Sequence, residues 1–439
     1  MKVLIVDTDG VGLNFAWRCV LAGHQVKWFV KPKPANHPEA GKGFKGVERI
    51  QNWVAAAKWA DIIVPTSNDD YVPKLTQLKA QGFPVFGPTT QSAKLEIDRG
   101  AGLKLLEKYG IQSAPYETFP NMKAALKHVE KTGDRFVFKT LGDNEDKSLT
   151  YVSKHAADLV GWLRKRIDDT PLKGEVMLQA FVEGIEMGVS RFMGSKGFVG
   201  PFNESFEHKK MMPGNYGPQT GETGTVAYFT EDSKLGMETL QKLEGELMRM
   251  GHEGDVALGF MIDKEGIPRP TEWTCREGWP FFNLAIGAVK GDPVQWMLDA
   301  HEGKDTTTFS TAIGTCVVVT TPPFPFADGE MDEITGNPIY GVTNGNRRHL
   351  HPQGVKIDVL PDMDGEKVVE RPLWNTAGAY NLVVTGYGDT VKKSRERAFK
   401  TVKQLNISNM MVRDDIGEKM EETLPELHKH GYATHCEYE

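Results

Sequence analysis

Apolar positions along the chain fall into short runs of the buried-strand type, separated by segments of helical period. Val3 to Val6 is such a run, Asp7 to Gly12 a turn, Leu13 to Ala22 a helix and Gln25 to Val30 a second strand. This alternation predicts a parallel, doubly wound sheet, continued by a strand over Asp61 to Pro65, a helix over Tyr71 to Gln81 and a strand over Pro84 to Phe86. Arg135 to Leu141 and Glu175 to Val182 read as strands around a helix from Ala156 to Ile167. Ser190 to Met193 and Phe198 to Phe202 read as a hairpin, Asp232 to Met250 as one helix. Strands over Val355 to Leu360 and Leu382 to Tyr387 and a helix over Thr390 to Leu405 close the pattern.

The stretch Val256 to Glu277 concentrates candidate chemistry. An apolar run to Ile262 meets the turn signal Asp263-Lys264-Glu265-Gly266, and Ile267 to Cys275 returns as a second strand. If Ile262 faces Ile267, Ala257 stands opposite Glu272 and Asp255 opposite Thr274. A side-chain period of two puts Glu272, Thr274 and Arg276 on one face. A carboxylate, a hydroxyl and a guanidinium in that order suit Mg2+ held against a polyphosphate. The same face also reads as a solvated polar hairpin.

With 439 residues, the chain exceeds what one core organises, so two to four domains are expected. Lys plus Arg number 52 against 59 Asp plus Glu, and the resulting charge of -7 gives no independent case for a nucleic-acid or anionic-membrane partner. Cys19, Cys275, Cys316 and Cys436 are widely spaced and form no CxxC pair, which predicts a reduced, cytoplasmic protein. Met1 to Val6 reads as a first strand, not a signal peptide, and no apolar stretch is long enough to span a membrane.

The return strand Glu272-Trp273-Thr274-Cys275-Arg276-Glu277-Gly278-Trp279-Pro280 resembles the metal-binding strand of ATP-grasp carboxylate-amine ligases. It resembles in particular that of the phosphoribosylamine-glycine ligases, where it reads Glu-Phe-Asn-Cys-Arg-Phe-Gly-Asp-Pro. Three other stretches carry the resemblance: Phe86 to Glu96, Glu207-His208-Lys209-Lys210 with the Gly-rich Pro213 to Gly224, and Arg413-Asp414-Asp415-Ile416-Gly417. It implies that Glu272 binds metal, that Thr274 replaces the metal-binding asparagine and that Arg276 faces phosphate; the ladder count adds Asp255, opposite Thr274, as the residue expected to compensate. Arg99 stands in for a lysine near the ATP phosphates, and Lys139 neutralises nucleotide charge. Lys147 belongs to a phosphate loop that here carries Asp143, Glu145 and Asp146. Backbone groups of Met177, Leu178, Gln179 and Ala180 frame adenine, and Glu186 accepts from ribose hydroxyls. Lys209 and Gly221 belong to the surface that approaches acyl phosphate. Gly10 and Gly12 sit in the loop that touches phosphoribosylamine, here without its Arg-Glu-His group, and Asn68 and Asp69 sit at the amine-substrate site.

The implied architecture is α/β and α+β multidomain: an ATP-grasp fold with an N-terminal parallel-sheet domain (1–114), a small lobe (115–188), a large lobe (189–314) and a small C-terminal closing domain (315–439). The implied reaction activates a carboxylate with ATP as an acyl phosphate and lets an amine attack it. Its cofactors are ATP and Mg2+, with Mn2+ as a stand-in. Its substrates are glycine or another small amino acid and an amine acceptor, a modified base or nucleotide included. Monomer and homodimer both remain open. Two rival readings are an ATP-binding homologue without turnover, suggested by the acidic loop and Thr274, and a dehydrogenase. The second lacks an acidic residue near the end of the strand Gln25 to Val30.

Overall fold

The computed structural model describes residues 1–32, 39–141, 149–169, 174–326 and 335–439. β1 (Lys2–Asp7), α1 (Leu13–Leu21), β2 (Gln25–Val30), β3 (Val47–Ile50), α2 (Trp53–Ala56), β4 (Ile62–Pro65) and α3 (Val72–Ala80) build a parallel sheet in the order β3-β2-β1-β4. The period of two in β1 fills both faces, as a parallel sheet covered on two sides requires. Val3 and Ile5 pack with Leu13, Phe15 and Trp28, while Leu4 and Val6 pack with Phe29, Trp53 and Leu75. α4 (Thr90–Ile97) begins at a capping box between Thr89 and Ser92. Asp98 then caps α5 (Arg99–Lys108) by accepting from the Ala101 amide, so Arg99 is held at the first helical position.

The small lobe contains β5 (Tyr116–Phe119), α6 (Met122–Thr132), β6 (Phe136–Thr140), β7 (Tyr151–Val152), α7 (Ala156–Asp169) and β8 (Val176–Ala180). Its antiparallel sheet has the order β5-β8-β6-β7. It packs a separate core in which Phe138, Val176 and Leu178 meet Leu159, Leu163, Ala125 and Val129 of the two helices.

β9 (Gly184–Gly194), β10 (Gly197–Met212), β11 (Tyr216–Thr230), α8 (Lys234–Glu238), α9 (Glu244–Arg249), β12 (Gly254–Asp263), β13 (Pro268–Thr274), α10 (Phe281–Ala288) and α11 (Gln295–His301) follow. The remainder comprises β14 (Ile313–Thr320), β15 (Thr335–Pro338), β16 (Leu350–Pro352), β17 (Val355–Asp364), β18 (Lys367–Ala377), β19 (Tyr380–Gly388), α12 (Val391–Val402) and α13 (Met420–Lys429). One antiparallel sheet of eight strands, β13-β12-β9-β10-β11-β14-β19-β16, runs from the large lobe into the C-terminal region. A three-stranded sheet, β15-β18-β17, brings Trp374 against Trp17 and Phe44 of the N-terminal region.

Two expectations change. The helix expected over Asp232 to Met250 is broken: Thr239 leaves helical geometry at φ -126°, ψ -83°, and a tight turn over Leu240–Leu243 separates α8 from α9. Gly236 lets α8 lie close to Phe202, since a Cβ there would meet the ring at 2.5 Å. The Gly-rich stretch is not a free loop. β10 extends to Met212, a short turn spans Pro213–Asn215, and β11 starts at Tyr216, so most of the stretch lies on a hairpin arm.

Candidate active site

The β12–β13 hairpin has a different register from simple counting. Ile262 faces Pro268, and Thr271 is an extra residue between the pairs Phe260–Pro270 and Gly259–Glu272. The bulge is accommodated because Gly259 has no side chain; a Cβ there would meet Thr271 Oγ1 at 2.7 Å. Glu272 and Thr274 keep a common face, but Ala257 stands opposite Thr274. Asp255 therefore does not compensate for the missing asparagine as expected. Its carboxyl is buried beside Ser190, the Gly278 amide and Glu277, and burial pushes its pKa up to about 7.

Glu272 meets Lys209 at the centre of the site. Lys209 Nζ donates to Glu272 Oε1 at 2.6 Å and to Glu186 Oε1 at 2.8 Å, with Glu207 Oε2 at 3.2 Å. Burial opposes this charge, yet Glu272, Glu207 and Glu186 more than offset it and hold the Lys209 pKa well above its ordinary value. Lys139, buried on β6, donates to Gln179 Oε1 at 2.7 Å and to the Thr271 carbonyl at 3.2 Å. The two lysines thus reach neighbouring residues of β13 from different lobes. Arg276 lies 3.5 Å from Glu96 Oε1 through Nε and donates to the Glu277 carbonyl at 3.1 Å. Burial works against its charge, while Glu96, Asp9, Glu272 and Asp69 raise its pKa. Arg99 reaches Thr150 Oγ1 at 3.5 Å and lines a small recess with Glu96, Thr271 and Glu272. Lys209, Lys139, Arg276, Arg99, Glu186 and Glu272 thus lie around β13; Lys147 lies outside the described residues.

The adenine-framing expectation needs correction. β8 is an inner strand, and Met177, Leu178 and Gln179 pair on both sides, with β5 and with β6, so their backbone groups serve the ladders. The Ala180 amide goes to the Pro115 carbonyl at 2.8 Å and the Phe181 amide to Arg135 at 3.3 Å. A cleft of about 640 Å³ opens just beyond, lined by Ala180, Phe181, Val182 and Glu183 and by Lys264 and Arg269 of the β12–β13 hairpin.

On the hairpin arms, four residues, 220–223, oppose Lys209 alone between the pairs His208–Gly224 and Lys210–Gln219. Thr220 Oγ1 donates to the Lys209 carbonyl at 2.7 Å and Thr223 Oγ1 to the His208 carbonyl at 2.8 Å, which fixes the bulge. Gly221 is exposed at its crest, and a Cβ there would meet nothing within 4 Å. The segment 413–417 braces this arm. Arg413 donates to the Lys210 carbonyl at 2.9 Å and to Asn215 Oδ1 at 2.8 Å, and Asp415 Oδ2 accepts from the Gly214 amide at 2.8 Å. His208 Nε2 accepts from the Gly417 amide at 3.0 Å, and burial holds its pKa down to about 4, so the ring is neutral.

The N-terminal loop departs most from expectation. Asp7 Oδ1 accepts from the amides of Asp9 at 3.0 Å and Gly10 at 2.9 Å and from Thr66 Oγ1 at 2.9 Å. Its Oδ2 accepts from the Gly12 amide at 2.7 Å and from Trp28 Nε1 at 2.9 Å. The Gly10 and Gly12 amides are consequently engaged inside the protein and not offered to a substrate anion. Asn68 is buried and donates to Glu96 Oε2 at 2.6 Å, which positions the carboxylate beside Arg276, whereas Asp69 is exposed.

Asp7, Glu96, Glu207 and Glu222 were missed as functional candidates. Glu96 and Glu207 lie inside motifs already singled out, and Asp7 is an acid ending a buried strand, which was the available signal. Glu222 stands where the resembled motif has glycine. Its Oε1 is buried with no hydrogen-bond partner among the described residues, and burial and Glu207 push its pKa well up.

For a divalent cation, the described residues contain no group of three or more His, Cys, Asp or Glu arranged to hold it alone. Glu272 and Glu186 nevertheless offer hard oxygens that already gather around one cation, the Lys209 ammonium, and Thr274 shares the β13 face with Glu272. That donor set fits Mg2+, an ion that completes its shell with water and substrate phosphate.

Residues 102–280 match the family described as phosphoribosylglycinamide synthetase, ATP-grasp (A) domain. The phosphoribosylamine-glycine ligase of Salmonella typhimurium is 25% identical over 437 residues, spanning 95% of this chain and 98% of its own length. The crystal structure of Thermotoga maritima phosphoribosylamine-glycine ligase superposes with a TM-score of 0.69 at 20% identity, over 95% of this chain and 100% of that one. A Campylobacter jejuni biotin carboxylase, solved as a β-γ-ATP complex, gives a TM-score of 0.61 at 14% identity, over 98% and 97% of the two chains. The fold is the ATP-grasp fold. Over nearly its full length the chain is similar in sequence to the phosphoribosylamine-glycine ligases.

Proposed function

We propose that the chain is an ATP-dependent carboxylate-amine ligase that activates the carboxylate of glycine or another small amino acid and joins it to an amine. One observation carries this reading: Lys139 from the small lobe and Lys209 from the large lobe converge on consecutive residues of β13, with Arg276 beyond its end. Such a set of cations stabilises charge on a transferred phosphoryl group without a side-chain nucleophile.

Lys139 exchanges its carbonyl partner for nucleotide phosphate, and Lys209 faces the phosphoryl group under transfer. Glu272, Glu186 and Thr274 would hold Mg2+, which when bound offsets polyphosphate charge. The amino-acid carboxylate attacks the γ-phosphorus, ADP leaves, and the acyl phosphate forms beside Arg276. The amine nitrogen then attacks the acyl carbon, phosphate leaves with the bonding pair and the nitrogen loses a proton, giving the amide. No helix of the described residues is long and apolar enough to cross a membrane, and the reading places the enzyme in the cytoplasm.

The test is ADP release with MgATP and pooled amino acids, with and without pooled amines. Release that requires both pools supports the ligase. Tight ATP binding without release under any combination overturns it in favour of a non-catalytic homologue.

A further inference from the structure

Open α/β sheets bind ligands beyond the carboxyl ends of their strands, where the strand order reverses. Here that switch point lies between β1 and β4, since the chain moves from β1 outward to β2 and β3 and returns to β4 on the other side. The loops leaving these strands, 8–12 and 66–70, line the switch point. Asp9 and Asp69 from them both favour the charge on Arg276, so the switch point lies near that guanidinium.

Backbone amides at the start of a helix can receive a phosphate or carboxylate. In this chain the receptor is filled from within: the Asp7 carboxylate takes the amides of Asp9, Gly10 and Gly12 together with Thr66 Oγ1 and Trp28 Nε1. Five donors exhaust the lone-pair directions of one carboxylate. There is also no slack around it, because a Cβ on Gly12 would meet Asp7 Oδ2 at 2.9 Å and Trp28 Nε1 at 3.1 Å.

The rim has the wrong sign for a phosphate as well. Asp9 and Asp69 are exposed there. Among the described residues, the nearby cations are already engaged: Lys31 with Asp70, Arg276 with Glu96, Arg49 over the Trp28 ring and on the Ala40 carbonyl, and Arg18 with the Arg348 and Leu350 carbonyls. A dianion entering this crevice meets two carboxylates and finds the amide receptor occupied.

We infer that the acceptor of this ligase is an amine that carries no phosphate, neutral or cationic, in contrast to the phosphorylated amine for which its relatives are named. The inference rests on the ligase reading for its catalytic meaning, but the filled receptor stands by itself. Two measurements on the full chain test it. The first compares ADP release with glucosamine and glucosamine 6-phosphate, among other pairs of amines differing only by a phosphate, in the presence of MgATP and the amino-acid pool. The second measures equilibrium binding of ribose 5-phosphate to the MgADP-loaded chain by calorimetry.

The expected result is a preference of about tenfold or more in kcat/KM for the unphosphorylated member. No saturable binding of ribose 5-phosphate is expected at millimolar concentration. A phosphorylated amine that is the better substrate, or saturable ribose 5-phosphate binding, overturns the inference. If neither member of any pair turns over, the ligase reading fails, and the calorimetry still decides the occupancy of the receptor.

Discussion

Lys209 Nζ lies 2.6 Å from Glu272 Oε1, and the same ammonium holds Glu186 at 2.8 Å, so one lysine keeps carboxylates from two strands within reach of each other. Lys209→Met removes that cation and leaves Glu186, Glu207 and Glu272 to repel one another. ADP release is expected to fall about 100-fold or more, with a loss of stability of about 3 kcal/mol. Added Mn2+ should raise the melting temperature of the variant more than that of the parent. Activity within twofold of the parent would remove Lys209 from the mechanism.

Glu272→Gln keeps the shape of the side chain and removes its charge. The expected outcome is a loss of ADP release of about 100-fold, with the Mg2+ concentration for half-maximal activity shifted upward. A variant with unchanged activity and Mg2+ dependence would end the metal assignment.

Burial holds the Asp255 carboxyl at a pKa of about 7, against an ordinary 3.8. Across that interval the folded chain binds a proton that the unfolded chain lacks, so this group's contribution to stability is lost as pH rises. His252 acts in the opposite sense, because burial keeps its pKa at about 3, below the ordinary 6.5. The observable is therefore a difference. The stability of Asp255→Asn relative to the parent should rise from pH 4 to 7, by up to about 1.4 kcal/mol per pH unit. A flat difference in urea-unfolding free energy would show that Asp255 is charged in the folded chain.

Arg413 is 2% exposed and ties the end of β10 to the turn that follows it. Arg413→Ala leaves Asp415 partly buried without its partner, and the expected cost is about 3 kcal/mol. Amide exchange should accelerate at residues 210–224 before it does so in β12. Uniform acceleration across the large sheet would argue for a global effect instead of a local brace.

Much of this was legible in the sequence. The parallel sheet follows from runs such as Val3 to Val6, and the ATP-grasp fold from the resemblance carried by the motif around Glu272 and Arg276. Register was not legible, because the turn sets Ile262 against Pro268 and the bulge at Thr271 adds a second residue, whose sequence trace is a single glycine on the partner strand. The employment of Asp7 was hidden for a different reason: an acid after a buried strand looks the same whether it faces a ligand or its own helix start. The adenine-framing reading failed because whether β8 lies inside or at the edge of its sheet depends on β5 and β6, which approach from elsewhere in the chain. Pairings such as Arg413 with Lys210 join residues 203 positions apart, and local pattern carries no information about them.

The bond from Lys139 to the Thr271 carbonyl crosses a seam between two independently packed bodies, since Phe138 and Leu178 belong to the small lobe's core and β13 to the large sheet. A neutral carbonyl is a weaker acceptor for an ammonium than a phosphate oxygen. An arriving nucleotide thus competes for the clasp that joins the two bodies, and the energy of recognising its phosphates becomes available for setting the angle between them.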